Sequence, residues 1–87
     1  MSVMFEVLYK PPGDPLREER ITASLRAFGG RLTFREETDQ PDEGPICLTY
    51  EFNDAIAAQQ AAIFLRQSGE HVEGPMDYSS PPPVLGE

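Results

Sequence analysis

Residues 11–32 have the sequence PPGDPLREERITASLRAFGGRL and predict a helix with a clear beginning and end. Asp14 can cap the helix, and Pro15 suits its first position because the missing N–H would have no intrahelical partner there. Gly29 and Gly30 end it, since glycine accepts the left-handed conformation that a helix C-cap needs. One stripe carries the residues expected to face a core, namely Ile21, Leu25 and Phe28, joined by Ser24 and the stem of Arg17.

Alternating apolar and polar residues predict strands on both sides of this helix. Val3–Tyr9 precedes it, Arg31–Glu36 follows it, and Ile46–Phe52 comes after an acidic turn at residues 37–45, which we expect to be a mobile hairpin loop. In the second strand, the alternation places Leu32 and Phe34 inward and Arg31, Thr33 and Arg35 outward. Residues 71–78 supply a short fourth strand at an edge of the sheet.

A second, alanine-rich helix is predicted from Asn53 or Asp54 to about Ser68, with Gly69 as its stop. Helical spacing places five residues on its core side: Ala57, Ala58, Ala61, Phe64 and Leu65. Ile56 and Ile63 then fall on the opposite side and predict a small interface patch, which a two-fold dimer would use twice. The alternative is a helix rotated so that the two isoleucines are core and the alanines face water.

The order strand, helix, strand, strand, helix, strand predicts an α+β fold, a ferredoxin-like βαββαβ sandwich. The expected antiparallel sheet has the order 4-1-3-2, with both helices on one face. Residues 1–78 form the single domain, and residues 79–87 (SSPPPVLGE) are predicted to be a disordered, proline-rich tail. The expected core is Phe5, Val7, Ile21, Leu25, Phe28, Leu32, Phe34, Leu48, Tyr50, Phe64 and Leu65.

The charge balance narrows the function by exclusion. Seven basic and fifteen acidic residues give a net charge of −8, which opposes binding to nucleic acids and to anionic membranes. Cys47 is the single cysteine, so neither an internal disulfide nor a cysteine-based zinc site can form. The first residues lack the pattern of a signal peptide, and we expect a cytoplasmic protein.

Few residues carry recognisable chemistry. The sole histidine, His71, has Glu70 and Glu73 as neighbours, but an edge-strand histidine is usually only solvated. Cys47 lies within a strand, where a cysteine usually packs rather than reacts. The acidic turn lacks the spacing of a calcium-binding loop. The sequence therefore predicts no catalytic residue, metal site or cofactor.

Pro12, Gly13 and Asp14 are the candidate ligand-binding residues, because they lead into the amino end of the first helix, where free N–H groups can meet an anion. The same stretch, with the strand and helix order around it, resembles the small-ligand regulatory domains called ACT domains. In that family a proline-glycine turn opens the first helix and a glycine ends it. Lys10 and Pro11 stand where the family has an acidic residue, and the insertion of Asp14 and Pro15 also departs from its pattern.

The resemblance implies a domain that binds small ligands, such as amino acids, between subunits. We therefore expect a non-enzymatic ligand-binding, regulatory or adaptor domain that self-associates. The alternative is a small dimeric enzyme of the ferredoxin-like α+β-barrel type, with His71 or Tyr50 lining a cleft. A third hypothesis is an accessory subunit whose tail or acidic surface docks to a larger protein. The partners left open are a homodimer copy, another protein and a small-molecule ligand.

Overall fold

The computed structural model describes residues 2–37 and 44–77 of the chain. Its elements in chain order are β1 (Val3–Tyr9), α1 (Pro15–Arg26), β2 (Arg31–Glu36), β3 (Ile46–Phe52), α2 (Ala55–Gln67) and β4 (His71–Asp77). The bounds predicted from sequence agree with these to within about two residues. Most of the predicted hairpin loop, and all of the predicted tail, lie outside the described residues.

The four strands form one antiparallel sheet in the order β2-β3-β1-β4, which reads as the predicted 4-1-3-2. Val7 of β1 pairs with Leu48 of β3 on one side and with Val72 of β4 on the other. The two most apolar strands are therefore central, and β2 and β4 are edges. This order is compatible with a ferredoxin-like sandwich.

Both helices begin and end in the same way. Asp14 and Asp54 are the N-caps, and their carboxylates accept hydrogen bonds from the backbone N–H of Arg17 and of Ile56, each at 3.1 Å. At the other end of α1, the N–H of Gly30 donates to the carbonyl of Leu25 at 2.9 Å. The N–H of Glu70 donates to the carbonyl of Leu65 in the same way, also at 2.9 Å.

These bonds form two Schellman motifs, each with a glycine in the left-handed region: Gly29 has φ 85° and Gly69 has φ 95°. The caps Asp14 and Asp54, and likewise the two glycines, lie 40 positions apart. The two helices can therefore be compared position by position with that offset.

The core lies between one face of the sheet and both helices. Its buried residues are Val3, Phe5, Val7, Tyr9, Ile21, Leu25, Ile46, Leu48, Tyr50, Phe52, Ala58, Ala61, Ala62, Leu65 and Val72. Alternate residues of β1 and β3 are buried, while the residues between them are half-buried on the other face. The prediction that both helices cover one face is confirmed by this distribution.

The prediction that Leu32 and Phe34 are core residues is wrong. A β-bulge in β2 pairs Leu32 with Tyr50 but Phe34 with Thr49, so that the alternation of β2 reverses at Thr33. Phe34 therefore lies on the open face of the sheet and is 58% exposed. Arg35, predicted to point outward, instead pairs with Leu48 and lies on the helix side. Leu32 keeps its predicted side, but its edge position leaves it exposed.

The predicted stripe of α2 also needs correction. Ala62 is buried where Phe64 was expected, because α2 is turned slightly about its axis relative to the predicted stripe. Phe64 is exposed at the rim of the core, with its ring centroid 5.9 Å from that of Phe28. Phe28 is partly buried against the core. Ile56 and Ile63 are exposed, so the rotated alternative, with the isoleucines in the core, is excluded.

Candidate functional site

The predicted ligand-binding turn lies between β1 and α1, at the end of the sheet where β1 finishes. Pro12, Gly13 and Asp14 are all exposed. The carboxylate of Asp14 is occupied in capping α1, and its backbone N–H donates to the hydroxyl of Tyr9 at 2.8 Å. A Cβ added to Gly13 would lie 3.2 Å from a guanidinium nitrogen of Arg35. The turn is thus held against charged side chains of the neighbouring elements.

Ion pairs connect the first half of α1 to the sheet and to the end of α2. The Arg35 guanidinium donates to both carboxylate oxygens of Glu18, at 2.8 and 3.0 Å. On the other side of α1, Arg17 donates to Glu70 at 2.8 Å, and its guanidinium carbon lies 4.8 Å from the centre of the Tyr9 ring. These ion pairs hold the first half of α1 in place, where the helix has few apolar side chains to bury.

The pKa values of Glu18 and Tyr9 are shifted by the groups around them. The Arg35 guanidinium holds the pKa of Glu18 below its ordinary value, and the Tyr9 hydroxyl, which donates to the same carboxylate, acts in the same direction. Burial, and secondarily Glu18, raises the pKa of Tyr9. Tyr9 therefore remains a neutral hydrogen-bond donor, and Glu18 remains an anion, over the physiological pH range.

A groove of about 320 Å³ runs between α1 and α2, beside this cluster. Its floor and one wall are apolar, while its rim carries guanidinium, hydroxyl and carboxylate groups. The lining residues are Arg17, Arg20, Ile21, Ser24, Phe64, Leu65, Ser68 and Glu70. A second, more open depression on the outer side of α1 is lined by Asp14, Leu16, Glu19, Arg20 and Ala23.

The outer face of α2 is nearly uncharged and carries two exposed isoleucines among glutamines. Ile56 is 65% exposed and Ile63 is 51% exposed, and the two lie about two helical turns apart on one side. Arg66 is the single charged residue among the thirteen of the helix. Its guanidinium is directed to the backbone of β4, where it donates to the carbonyls of Val72 and Gly74 at 3.0 and 2.7 Å. We call the surface around Ile56 and Ile63 the α2 patch.

The open face of the sheet is different in character. Register places four carboxylates on it, those of Glu6, Glu36, Glu51 and Glu73, together with large apolar side chains that include Leu8 and Phe34. Arg31 donates to Glu51 at 2.6 Å and is the one arginine that the register places there within the described strands. This face is therefore acidic overall.

Cys47 and His71 also lie on the open face. Burial, and secondarily Glu6, whose carboxylate accepts a hydrogen bond from the thiol at 3.2 Å, raises the pKa of Cys47 to about 11. A thiol in that state is a poor nucleophile at neutral pH, because the thiolate is the reactive form. His71 is largely exposed, and its Nε2 lies 3.3 Å from Glu73.

Tyr50, named as a cleft residue under the enzyme alternative, is fully buried. Its hydroxyl is hydrogen-bonded to the hydroxyl of Thr22 at 2.8 Å, so its role in this structure is to satisfy a polar group inside the core. Neither Tyr50 nor His71 lines the groove between the helices.

Within residues 2–37 and 44–77, no group of three His, Cys, Asp or Glu side chains comes together as metal ligands would. In the same part of the chain, neither helix has the length and apolar composition required to cross a membrane.

The chain matched no protein-family model and no curated protein when compared with both. The resemblance to ACT domains therefore stays a prediction from the residues that carry it.

The groove residues were not predicted as a site from the sequence. Arg17 and Ser24 gave a signal, since both fall on the core-facing stripe of α1, where polar side chains are unexpected. Glu70 and Ser68 come from the end of α2, forty or more positions away. Only the packing of the two helices brings them beside α1.

Proposed function

We propose that this chain is a non-enzymatic binding domain of ferredoxin-like fold that self-associates through the α2 patch and acts as a regulatory or adaptor module. The proposal includes a small ligand, as the resemblance to ACT domains implies, and the cytoplasmic location expected from the sequence. The single observation that carries it is the exposure of Ile56 and Ile63 on a helix with one charged residue.

Charge explains why the α2 patch suits a second copy of the same chain. Each copy has a net charge of −8, so that most surfaces of two copies repel each other. The α2 patch brings together isoleucines and the neutral side chains of Gln59, Gln60 and Gln67. In a two-fold interface the same patch is used twice, and this one places no carboxylate of α2 against its copy.

The open sheet face suits a second copy less well. A two-fold contact there would bring Glu6, Glu36, Glu51 and Glu73 of one chain close to the same residues of the other. Like charges placed together at an interface cost several kcal/mol. The enzyme alternative is not favoured by a specific observation, because His71 is solvated and Tyr50 is buried.

The test compares equivalent positions on the two helices. Ile56→Glu with Ile63→Glu should convert a wild-type dimer into a folded monomer, because the patch would carry four new charges per dimer. The matched control is Leu16→Glu with Ala23→Glu, which changes the exposed residues that stand 40 positions earlier on α1. Light-scattering mass and thermal unfolding are measured for all three proteins.

The control should remain dimeric. A wild-type mass of one chain at millimolar concentration would overturn the proposal, as would loss of the dimer in the control alone. If the charged α2 variant fails to fold, Ile56→Gln with Ile63→Gln replaces it, since neutral glutamines already stand on this face.

A further inference from the structure

We infer that the groove between α1 and α2 binds a small amphipathic carboxylate, an acid with one carboxylate and a compact hydrophobic body. The inference rests on the proposed role as a small-ligand-binding domain. The groove is a different site from the predicted ligand-binding turn at Pro12, Gly13 and Asp14.

The size and lining of the groove fit such a ligand. Its volume of about 320 Å³ lies at the lower end of the range for small-molecule sites, about 300–1,000 Å³. Ile21 and Leu65 form a buried floor, and the exposed ring of Phe64 forms a wall. Burial of this exposed apolar surface against the hydrophobic body of a ligand contributes favourable free energy to binding.

The charged groups of the groove favour an anion. Arg17 and Arg20 are opposed by one carboxylate, that of Glu70, and Glu70 is already paired with Arg17 at 2.8 Å. Arg20 forms no ion pair with any carboxylate of the described residues. The groove thus has a net charge of +1 in a chain whose net charge is −8.

The spacing along α1 places the polar groups together. Arg20 and Ser24 are four residues apart, so their side chains lie on the same side of the helix. A guanidinium and a hydroxyl so placed can both donate to one carboxylate, and hydrogen bonds of this charged type are the stronger kind. The carboxylate would bind near Arg20, with the hydrophobic body across Phe64 and Leu65.

The probe is 3-phenylpropanoate, titrated into the full-length, isotope-labelled chain while backbone amide shifts are recorded. The amides of Ile21, Ser24, Leu65 and Ser68 should shift together, with a dissociation constant on the order of 1 mM, as expected for a ligand of this size. The neutral amide, 3-phenylpropanamide, should bind about tenfold more weakly, because it lacks the charge that Arg20 binds.

Two variants should act in opposite directions. Arg20→Gln should weaken binding of the acid about tenfold and leave binding of the amide unchanged. Glu70→Gln should strengthen binding of the acid several-fold, because Arg17 is then released from its partner. Arg26→Gln is the matched control, since Arg26 is an exposed arginine of α1 that does not line the groove, and it should change nothing.

The outcomes separate this inference from the proposed function. Equal binding of acid and amide, or an unaltered affinity in Arg20→Gln, overturns the carboxylate site. Shifts confined to the amides of Gly13 and Asp14 would also overturn it while supporting a ligand role at the turn. No shift at any amide at 10 mM probe overturns it too, and the self-association is then judged separately by the mass measurements above.

Discussion

Helices α1 and α2 both begin at an aspartate N-cap and end in a Schellman motif, yet different interactions hold them to the sheet. α2 presents Ala58, Ala61 and Ala62 to the sheet, and side chains this small allow its backbone to lie close to the strands. α1 buries only Ile21 and Leu25 within its own span. It is fixed by ion pairs to the sheet and to the end of α2.

The two helices therefore present different outer surfaces although they begin and end alike. α1 uses Arg17 and Glu18 to reach α2 and the sheet, and its outer surface mixes exposed charged residues of both signs with Leu16 and Ala23. Because α2 is held by alanines and one leucine, its outer positions are free to carry isoleucines. The α2 patch is thus a surface that packing does not require, which is why we assign it a function.

Substitutions at the buried leucine that the two helices share should change the stability most. Leu25 and Leu65 occupy equivalent positions, 40 apart, and both are buried. Leu25→Ala and Leu65→Ala should each lower the free energy of unfolding by about 2–5 kcal/mol, measured from urea midpoints. Leu16→Ala, at an exposed position, should change it by less than about 0.5 kcal/mol. If either core variant behaved like Leu16→Ala, the helix packing described above would be wrong.

Substitutions just after the two helices should lower the stability by different amounts, both smaller than those of the core variants. A Cβ on Gly30 would lie 2.5 Å from ring carbons of Phe52, whereas the equivalent position after α2 holds Glu70 with a full side chain. Gly30→Ala should therefore cost about 1–3 kcal/mol through overpacking. Glu70→Ala should cost at most about 1 kcal/mol, the worth of a partly exposed ion pair. Equal costs at the two positions would show that the ends are not packed differently.

These ends also show how far the sequence could predict the fold. Asp14, Pro15 and the paired glycines act within a few residues of one another, so the bounds of α1 could be predicted. The order of the strands followed from chain topology. The bulge at Thr33 could not be predicted, because RLTFRE alternates as a regular strand does and only pairing with β3 reveals the extra residue.

Of the two candidate sites, one could be predicted from the sequence and the other could not. The exposure of Ile56 and Ile63 was predicted, since helical spacing alone places them opposite Leu65. The groove was not, because its residues meet only after two helices pack on one sheet. Arg35 is the clearest case: the bulge moves it to the helix side, and there it becomes the partner of Glu18.

The smallest effect concerns the ion pairs of α1. The lowered pKa of Glu18 means that its charged form stabilises the folded state, by about 0.5–1 kcal/mol for a pair of this kind. That contribution is fully present above the ordinary glutamate value of about 4.3 and is lost as the pH falls through the lowered value. Glu18→Gln should therefore destabilise the protein at pH 7 but not at pH 2, measured by urea unfolding.

The control is Glu19→Gln, which removes an exposed carboxylate of α1 that has no ion pair within the described residues, and it should change the stability little at either pH. If Glu18→Gln destabilised the protein equally at both pH values, the effect would come from lost packing rather than from the ion pair. A double variant with Arg35→Gln should cost less than the sum of the two single variants, since both break the same pair.

If two acidic chains associate through the α2 patch, the stability of the dimer should depend on salt in a specific direction. Sedimentation equilibrium of the wild-type chain gives the dimer dissociation constant at 0.02 M and at 0.5 M sodium chloride. Salt screens the repulsion between chains of charge −8 and leaves an apolar contact in place, so the dimer should become tighter as salt is added. A dimer that weakens with salt, or a single-chain mass of 9.7 kDa at every concentration, would contradict the account.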